Sequence, residues 1–333
     1  MKKPSSAATP VVTGLPSSQS PAKDRNKLKT NVPANKQPGI KKIPWRLWVV
    51  VVVGIVWLGF GIYFLLLSGP DSQSEPKPIA SIKAPDYHSL AFNPARPEII
   101  YFGSHAGLMK SEDSGQTWQA GNLQNQDAMN ISLAKNSPLA YIGGHDVFFK
   151  SEDSGQTWRS LLLRLPGTDI HALALDPTNS NRLYAYAVGL GLLKSEDGAQ
   201  NWQLVSRKLG DSTTGLAFDG KTLWAATLER GVLRSQDNGA TWELASGFVN
   251  GALDNSARVN SLAFDIQTNR LYAGTSQGLY QTQDGGASWT RSGYSGVVAA
   301  AAVNPVNSKM LLVINPKGEV YRSQDGGLSW AGK

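Results

Sequence analysis

The octapeptide SEDSGQTW stands at Ser111–Trp118 and again, unchanged, at Ser151–Trp158. Weaker copies follow as SEDGAQNW (Ser195–Trp202), SQDNGATW (Ser235–Trp242), TQDGGASW (Thr282–Trp289) and SQDGGLSW (Ser323–Trp330). The tryptophans step by 40, 44, 40, 47 and 41 residues, and six copies at a near-constant period signal a repeat architecture. An enzyme needs one active centre, so a motif present six times reads as a structural device.

Strand-like residues precede each copy (GLMK, VFFK, GLLK, GVLR, GLYQ and EVYR), which makes each octapeptide the turn of a hairpin. Asp113, Asp153, Asp197, Asp237, Asp284 and Asp325 are expected to accept hydrogen bonds from turn amides. The glycine at the fifth position suits a positive φ. Trp118, Trp158, Trp202, Trp242, Trp289 and Trp330 are expected to lay their rings between neighbouring sheets. The third copy has Gly198-Ala199 in place of a fifth-position glycine, so its turn is expected to be shifted or looser.

Two further strands precede each octapeptide. The first reads SLAFNP, SLAKN, ALALDP, GLAFDG, SLAFDI and AAAVNP, and the second IIYFGS, LAYIGG, RLYAYAV, TLWAATL, RLYAGTS and MLLVINP. With the segment after each tryptophan, every repeat supplies four antiparallel strands, the content of one propeller blade. The predicted fold is therefore all-β, a six-bladed β-propeller of four-stranded blades. A lone blade cannot bury both faces of its sheet, so the ring must close. Only three residues follow Trp330, and Ile79–Ala84 is expected to help close the ring.

All six copies resemble the Asp-box, or BNR, repeat, and the resemblance covers Tyr87–Lys333. Bacterial sialidases, sortilin-type receptors and the photosystem II stability/assembly propellers carry it. The resemblance implies that the box is a structural turn remote from the ligand site. YHSLAFNP, GSHAGL and TDIHALALDP are also similar to membrane-attached bacterial Asp-box proteins labelled as sialidases or glycosyl hydrolases.

The N-terminal part differs in kind. Leu47–Leu67 is LWVVVVVGIVWLGFGIYFLLL, a stretch without charge and long enough as a helix to cross a hydrocarbon layer of about 30 Å. Residues 45–67 are thus expected to form a single transmembrane signal anchor, with Trp45, Trp48 and Tyr63 at the interfaces. Residues 1–44 read as a disordered basic tail, 68–78 as a linker and 79–333 as the propeller. Of the 32 basic and 25 acidic residues behind the net charge of +7, ten basic and one acidic fall in residues 1–46. The positive-inside rule then places the tail in the cytoplasm and the propeller on the extracytoplasmic side. The propeller itself is near neutral, so nucleic acid is not an expected partner. The chain has no cysteine, which excludes disulfides, thiolate metal sites and cysteine nucleophiles.

Meander geometry assigns the octapeptides to one face and leaves the opposite face free. The four histidines all fall on that free face. His88 and His171 open the first strands of blades 1 and 3, and His105 and His145 lie in turns between second and third strands. Asp86 and Asp169 each precede a histidine by two residues. Imidazole with carboxylate suits a ligand or metal site, though duplicated blades would also carry such residues as surface or capping groups. No other cofactor is expected.

Three functions fit these features. The favoured one is a non-catalytic, membrane-anchored module that touches the lipid bilayer and binds a protein partner or assists a membrane complex. The second is a sialidase-like glycosidase acting on carbohydrate, for which Asp86, Asp169, Asp211 and Glu229 are candidate carboxylates. A sialidase resemblance would imply an arginine triad, yet no Arg-Ile-Pro precedes the first box and Arg96-Pro97 falls on the octapeptide face. The third is a metal-binding propeller. No catalytic residue is assigned.

Overall fold

The computed structural model describes residues 76–245 and 257–330. The expected tail, the transmembrane segment and most of the linker lie outside the described residues, as do 246–256 and 331–333. Among the described residues no helix is long and apolar enough to cross a membrane.

A two-residue strand, β1 (Ala80–Ser81), comes first. Blade 1 is β2 (Ser89–Phe92), β3 (Ile100–Ser104), β4 (Gly107–Ser111) and β5 (Gln119–Gln124). Blade 2 is β6 (Asn130–Leu133), β7 (Ala140–Gly144), β8 (Val147–Ser151) and β9 (Arg159–Ser160). Blade 3 is β10 (Ile170–Leu175), β11 (Leu183–Ala187), β12 (Gly191–Ser195) and β13 (Gln203–Ser206). Blade 4 is β14 (Thr213–Phe218), β15 (Leu223–Thr227), β16 (Gly231–Ser235) and β17 (Glu243–Leu244). Blade 5 is β18 (Val259–Asp265), β19 (Arg270–Thr275), β20 (Gly278–Thr282) and β21 (Thr290–Arg291). Blade 6 contributes β22 (Ala300–Asn304), β23 (Asn307–Ile314) and β24 (Glu319–Ser323). Its fourth strand is β1, which pairs antiparallel with β24 through Ala80–Val320 and Ser81–Glu319. The first strand of the domain thus completes the last blade, as expected of Ile79–Ala84.

Each first strand faces a central channel of about 240 Å³, lined by Leu90, Ile131, Leu173, Leu216, Leu262 and Ala301 among others. The second strands β3, β7, β11 and β15 are buried at every residue, because neighbouring blades cover both of their faces. Their near-continuous apolar sequences follow from that double burial. The core therefore lies between blades. Phe148 of blade 2 packs with Leu183 and Leu193 of blade 3, and Leu90 of blade 1 with Leu312 of blade 6.

At the ends of the first strands, a buried Asn or Asp turns the chain. Asn93 Oδ1 accepts from the amides of Ala95 and Arg96, Asp176 Oδ1 from Thr178 and Asn179, and Asn304 Oδ1 from Val306 and Asn307. This side-chain turn explains why an Asn or Asp ends or directly follows the first strand in all blades but the second.

The octapeptides join third to fourth strands. In the first copy Asp113 Oδ1 accepts from the Gln116 and Thr117 amides at 3.0 and 2.8 Å, and Oδ2 from the Thr117 hydroxyl at 2.6 Å. Ser111 Oγ donates to Asp113 and accepts from the Gly115 amide at 2.9 Å. The third copy corrects the expectation of a looser turn. Asp197 accepts from the Gln200 and Asn201 amides at 3.0 and 2.9 Å, and the Ala199 amide donates to Ser195 Oγ at 3.0 Å. The turn needs two successive positive φ angles, and Gly198 (71°) and Ala199 (69°) supply them as Ser114 (62°) and Gly115 (89°) do. Ala199 accepts the left-handed conformation because the hydrogen bonds of Ser195 and Asp197 fix it, at a steric cost of roughly 1–2 kcal/mol.

The same bonds lower carboxylate pKa values. Asp197 is held at about 2 by the Asn201 side chain and amide, Asp237 at about 2 by Thr241, and Asp284 at about 2 by Ser288. A depressed folded-state pKa gives stability that is present above the unfolded value near 4 and lost as pH falls toward 2. Acid unfolding is therefore expected to set in below about pH 4. Replacing Asp237 and Asp284 together with Asn is expected to lower stability at pH 7 and flatten its decline between pH 4 and 2, measured by urea unfolding across that range. An unchanged pH slope would refute this source of acid sensitivity.

The tryptophans each pack toward the preceding blade, though to different depths. Trp202 meets Phe148 edge-on at 5.7 Å, and Trp289 joins a cluster with Trp224 and Val232. Trp289 and Trp330 are each 6% exposed, whereas the other four rings are half-buried.

Candidate functional site

Strand register places one residue of each blade around the channel mouth on the face opposite the octapeptides. These are His88, Met129, His171, Thr214, Asn260 and Ala299, and they line a cavity of about 420 Å³. The residue two positions earlier is Asp86, Asp127 and Asp169 in blades 1 to 3, but Ser212, Arg258 and Val297 in blades 4 to 6. The aspartates and histidines of the rim are thus confined to half of the ring.

The turns between second and third strands bring the other two histidines to it. Pairing of Ser104 with Gly107 leaves His105 in a two-residue turn, and pairing of Gly144 with Val147 does the same for His145. Each turn is clamped by the aspartate of its own blade. Asp86 Oδ1 accepts from the His105 amide at 2.9 Å and Asp86 Oδ2 meets His105 Nδ1 at 2.5 Å. Asp127 Oδ2 accepts from the His145 amide at 2.9 Å and meets His145 Nδ1 at 2.5 Å.

The groups then run as a row across three blades. His88 Nε2 lies 3.2 Å from Asp86 Oδ1 and 3.3 Å from His105 Nδ1. His105 Nε2 lies 3.8 Å from Asp127 Oδ2, and the His105 and His145 rings stack at 5.3 Å. His145 Nε2 and His171 Nε2 both approach Asp169 Oδ1, at 3.5 and 3.0 Å. The His145 and His171 rings meet edge-on at 5.3 Å. Burial lowers the pKa of His88, against the opposing pull of Asp86. All six residues singled out in the sequence, Asp86, His88, His105, His145, Asp169 and His171, therefore lie in this one row.

Asp127 was not singled out, because the residue two places on is Met129 rather than histidine. Its signal was the repeat itself, an aspartate recurring at steps of 41 and 42 residues through 86, 127 and 169. Of the glycosidase candidates, Asp86 and Asp169 belong to the row, and the His171 imidazole acts on the carboxylate of Asp211. Asp211 accepts from the Tyr186 hydroxyl at 2.8 Å and from the Gly189 amide at 3.2 Å, while Glu229 is exposed in a turn of blade 4.

Residues 85–217, which span blades 1 to 3 and enter blade 4, match the family described as photosynthesis system II assembly factor YCF48. The propeller is of the BNR type. Among solved structures it is similar to the GH74 xyloglucanase from Xanthomonas campestris, at 19% identity and a TM-score of 0.53, over 77% of this chain and 46% of that one. It is also similar to YCF48 from Cyanidioschyzon merolae, at 18% identity and a TM-score of 0.48, over 76% of this chain and 87% of that one. YCF48 bound to D1 peptide gives 17% identity and a TM-score of 0.46, over 75% and 97%. This BNR chain spans less than half the length of the xyloglucanase. At 19% identity the likeness to the xyloglucanase speaks for the fold alone. No curated protein matches the chain.

Proposed function

We propose that the protein is a non-catalytic docking module. Its basic tail is cytoplasmic, Leu47–Leu67 anchors it in the membrane, and its extracytoplasmic propeller binds a protein partner during assembly of a membrane complex. The supporting observation is a coincidence of location. The segment that matches the assembly-factor family, 85–217, is the one that carries the whole row of aspartates and histidines. Apolar side chains stand exposed on the same face, Leu228 in a turn of blade 4 and Val297 before β22, which gives the mixed apolar and polar character of a protein interface. Asp86 and Asp127 are engaged by imidazoles and turn amides, and Asp211 by Tyr186 and Gly189, an arrangement that favours docking over hydrolysis.

The test is recovery of the full chain from solubilised membranes with whatever partner it holds. A Leu228→Asp/Val297→Asp variant is expected to lose that partner while keeping its melting temperature. A Glu112→Lys/Glu152→Lys variant on the octapeptide face is expected to keep it. The reverse pattern, or a partner retained by both variants, defeats the docking reading. Topology is tested separately by protease added to right-side-out vesicles, which is expected to digest the propeller and spare the tail. A protected propeller would contradict the charge argument.

A further inference from the structure

We infer that His145, Asp169 and His171 form a site for one divalent transition-metal ion of the zinc type, oriented by Asp127. The inference is independent of the docking reading and requires no partner.

The ligand atoms stand at the right separations. In a tetrahedral zinc site with bonds of about 2.0–2.1 Å, ligand atoms lie about 3.3–3.4 Å apart. Here Asp169 Oδ1 is 3.0 Å from His171 Nε2 and 3.5 Å from His145 Nε2. All three ligand atoms lie within 4.8 Å of one another. Small side-chain rotations suffice to bring them onto a common centre, and a water completes the tetrahedron on the exposed side of His145.

The atoms facing that centre lack other work. Asp169 Oδ1 and His171 Nε2 are buried atoms, and neither makes a hydrogen bond, to the other or to any other group among the described residues. Two buried polar atoms that make no hydrogen bond, 3.0 Å apart, are costly, and a cation between them satisfies both.

The third ligand has its outer partner in place. A histidine that binds a metal through one nitrogen almost always gives its other N–H to a carboxylate or carbonyl, which fixes the ring and its tautomer. His145 Nδ1 donates to Asp127 Oδ2 at 2.5 Å, and Nε2 is thereby left to face Asp169. This separates the site from the similar group at blade 1. There His105 directs Nδ1 toward His88, and that nitrogen is already held by Asp86 Oδ2 at 2.5 Å. Two imidazoles and one carboxylate select zinc, cobalt, nickel or copper over magnesium and calcium. The ion joins the second-to-third-strand turn of blade 2 to the first strand of blade 3, stapling the two blades at the channel mouth.

The test is a calorimetric titration of the full chain with Zn²⁺, with Mg²⁺ as the control. One equivalent of Zn²⁺ is expected to bind and Mg²⁺ to leave no signal. Asp127→Asn is expected to weaken binding by about 10–100-fold, as loss of an orienting carboxylate does, and His171→Ala by more. His88→Ala is expected to change affinity less than threefold. Should a variant fold poorly, nitrogen chemical shifts of the histidine side chains in the unaltered protein decide the matter. Zn²⁺ is then expected to shift Nε2 of His145 and His171. No Zn²⁺ binding, unchanged affinity in folded His171→Ala, or shifts confined to His88 and His105 would overturn the assignment.

Discussion

Replacing Trp289 with alanine is expected to lower the unfolding free energy by about 3–5 kcal/mol, the usual cost of deleting a large buried aromatic. The ring is 6% exposed and packs with Trp224, Val232 and Ala245 of blade 4. Its removal opens a cavity between two sheets whose backbones are held by their own ladders, so the site cannot collapse to fill it. Trp118 occupies the equivalent position in blade 1 but is half-buried, and Trp118→Ala is expected to cost less than Trp289→Ala. Urea unfolding of both variants, read as a change in midpoint at constant slope, checks the ranking. Equal losses, or a loss below about 1 kcal/mol for Trp289→Ala, would mean that the octapeptide tryptophans are not what joins the blades.

That ranking was not legible in the sequence, where the six tryptophans look alike. Depth of burial depends on what surrounds each ring, and the surroundings differ between blades. Conversely, the blade count, the strand order and the placing of turns on two faces were all legible, because each follows from a short signal repeated six times. The third octapeptide shows the limit of reading such a signal letter by letter. Ala199 pointed to a shifted or looser turn, yet the hydrogen bonds to Ser195 and Asp197 hold it in the left-handed region. The histidine row was half legible. Meander geometry put four histidines on one face, but the link between His105 and His145 is Asp127, which has no histidine beside it in sequence. Nor does spacing alone reveal that His145 Nδ1 is held by Asp127 while Nε2 faces Asp169, a distinction that depends on ring orientation.

Ring closure can be broken at a single side chain. Ile82→Asp is expected to destabilise the propeller by more than about 4 kcal/mol, the range reached by charges buried without a partner. Ile82 follows β1, is 2% exposed, and packs against Leu312, Ile314 and Val320 of blade 6 and Phe102 of blade 1. Its amide donates to Gly318 O at 2.8 Å, and that of Ile79 to Val320 O at 2.8 Å, so the segment is fixed at both ends of its pairing with β24. An aspartate here has no cation within the cluster to pair with, and its escape to water requires β1 to leave the sheet. Once β1 leaves, β24 becomes an open edge and the face between blades 6 and 1 is wetted, so the loss extends beyond one residue. Ser81→Thr is the control, since Ser81 is exposed and threonine keeps the strand, and a change within about 0.5 kcal/mol is expected. Thermal unfolding of the full chain followed by tryptophan fluorescence reads both effects, because Trp118 lies in the same cluster. If Ile82→Asp unfolds at the temperature of the parent protein, the N-terminal strand is an ornament on a ring already closed by other contacts.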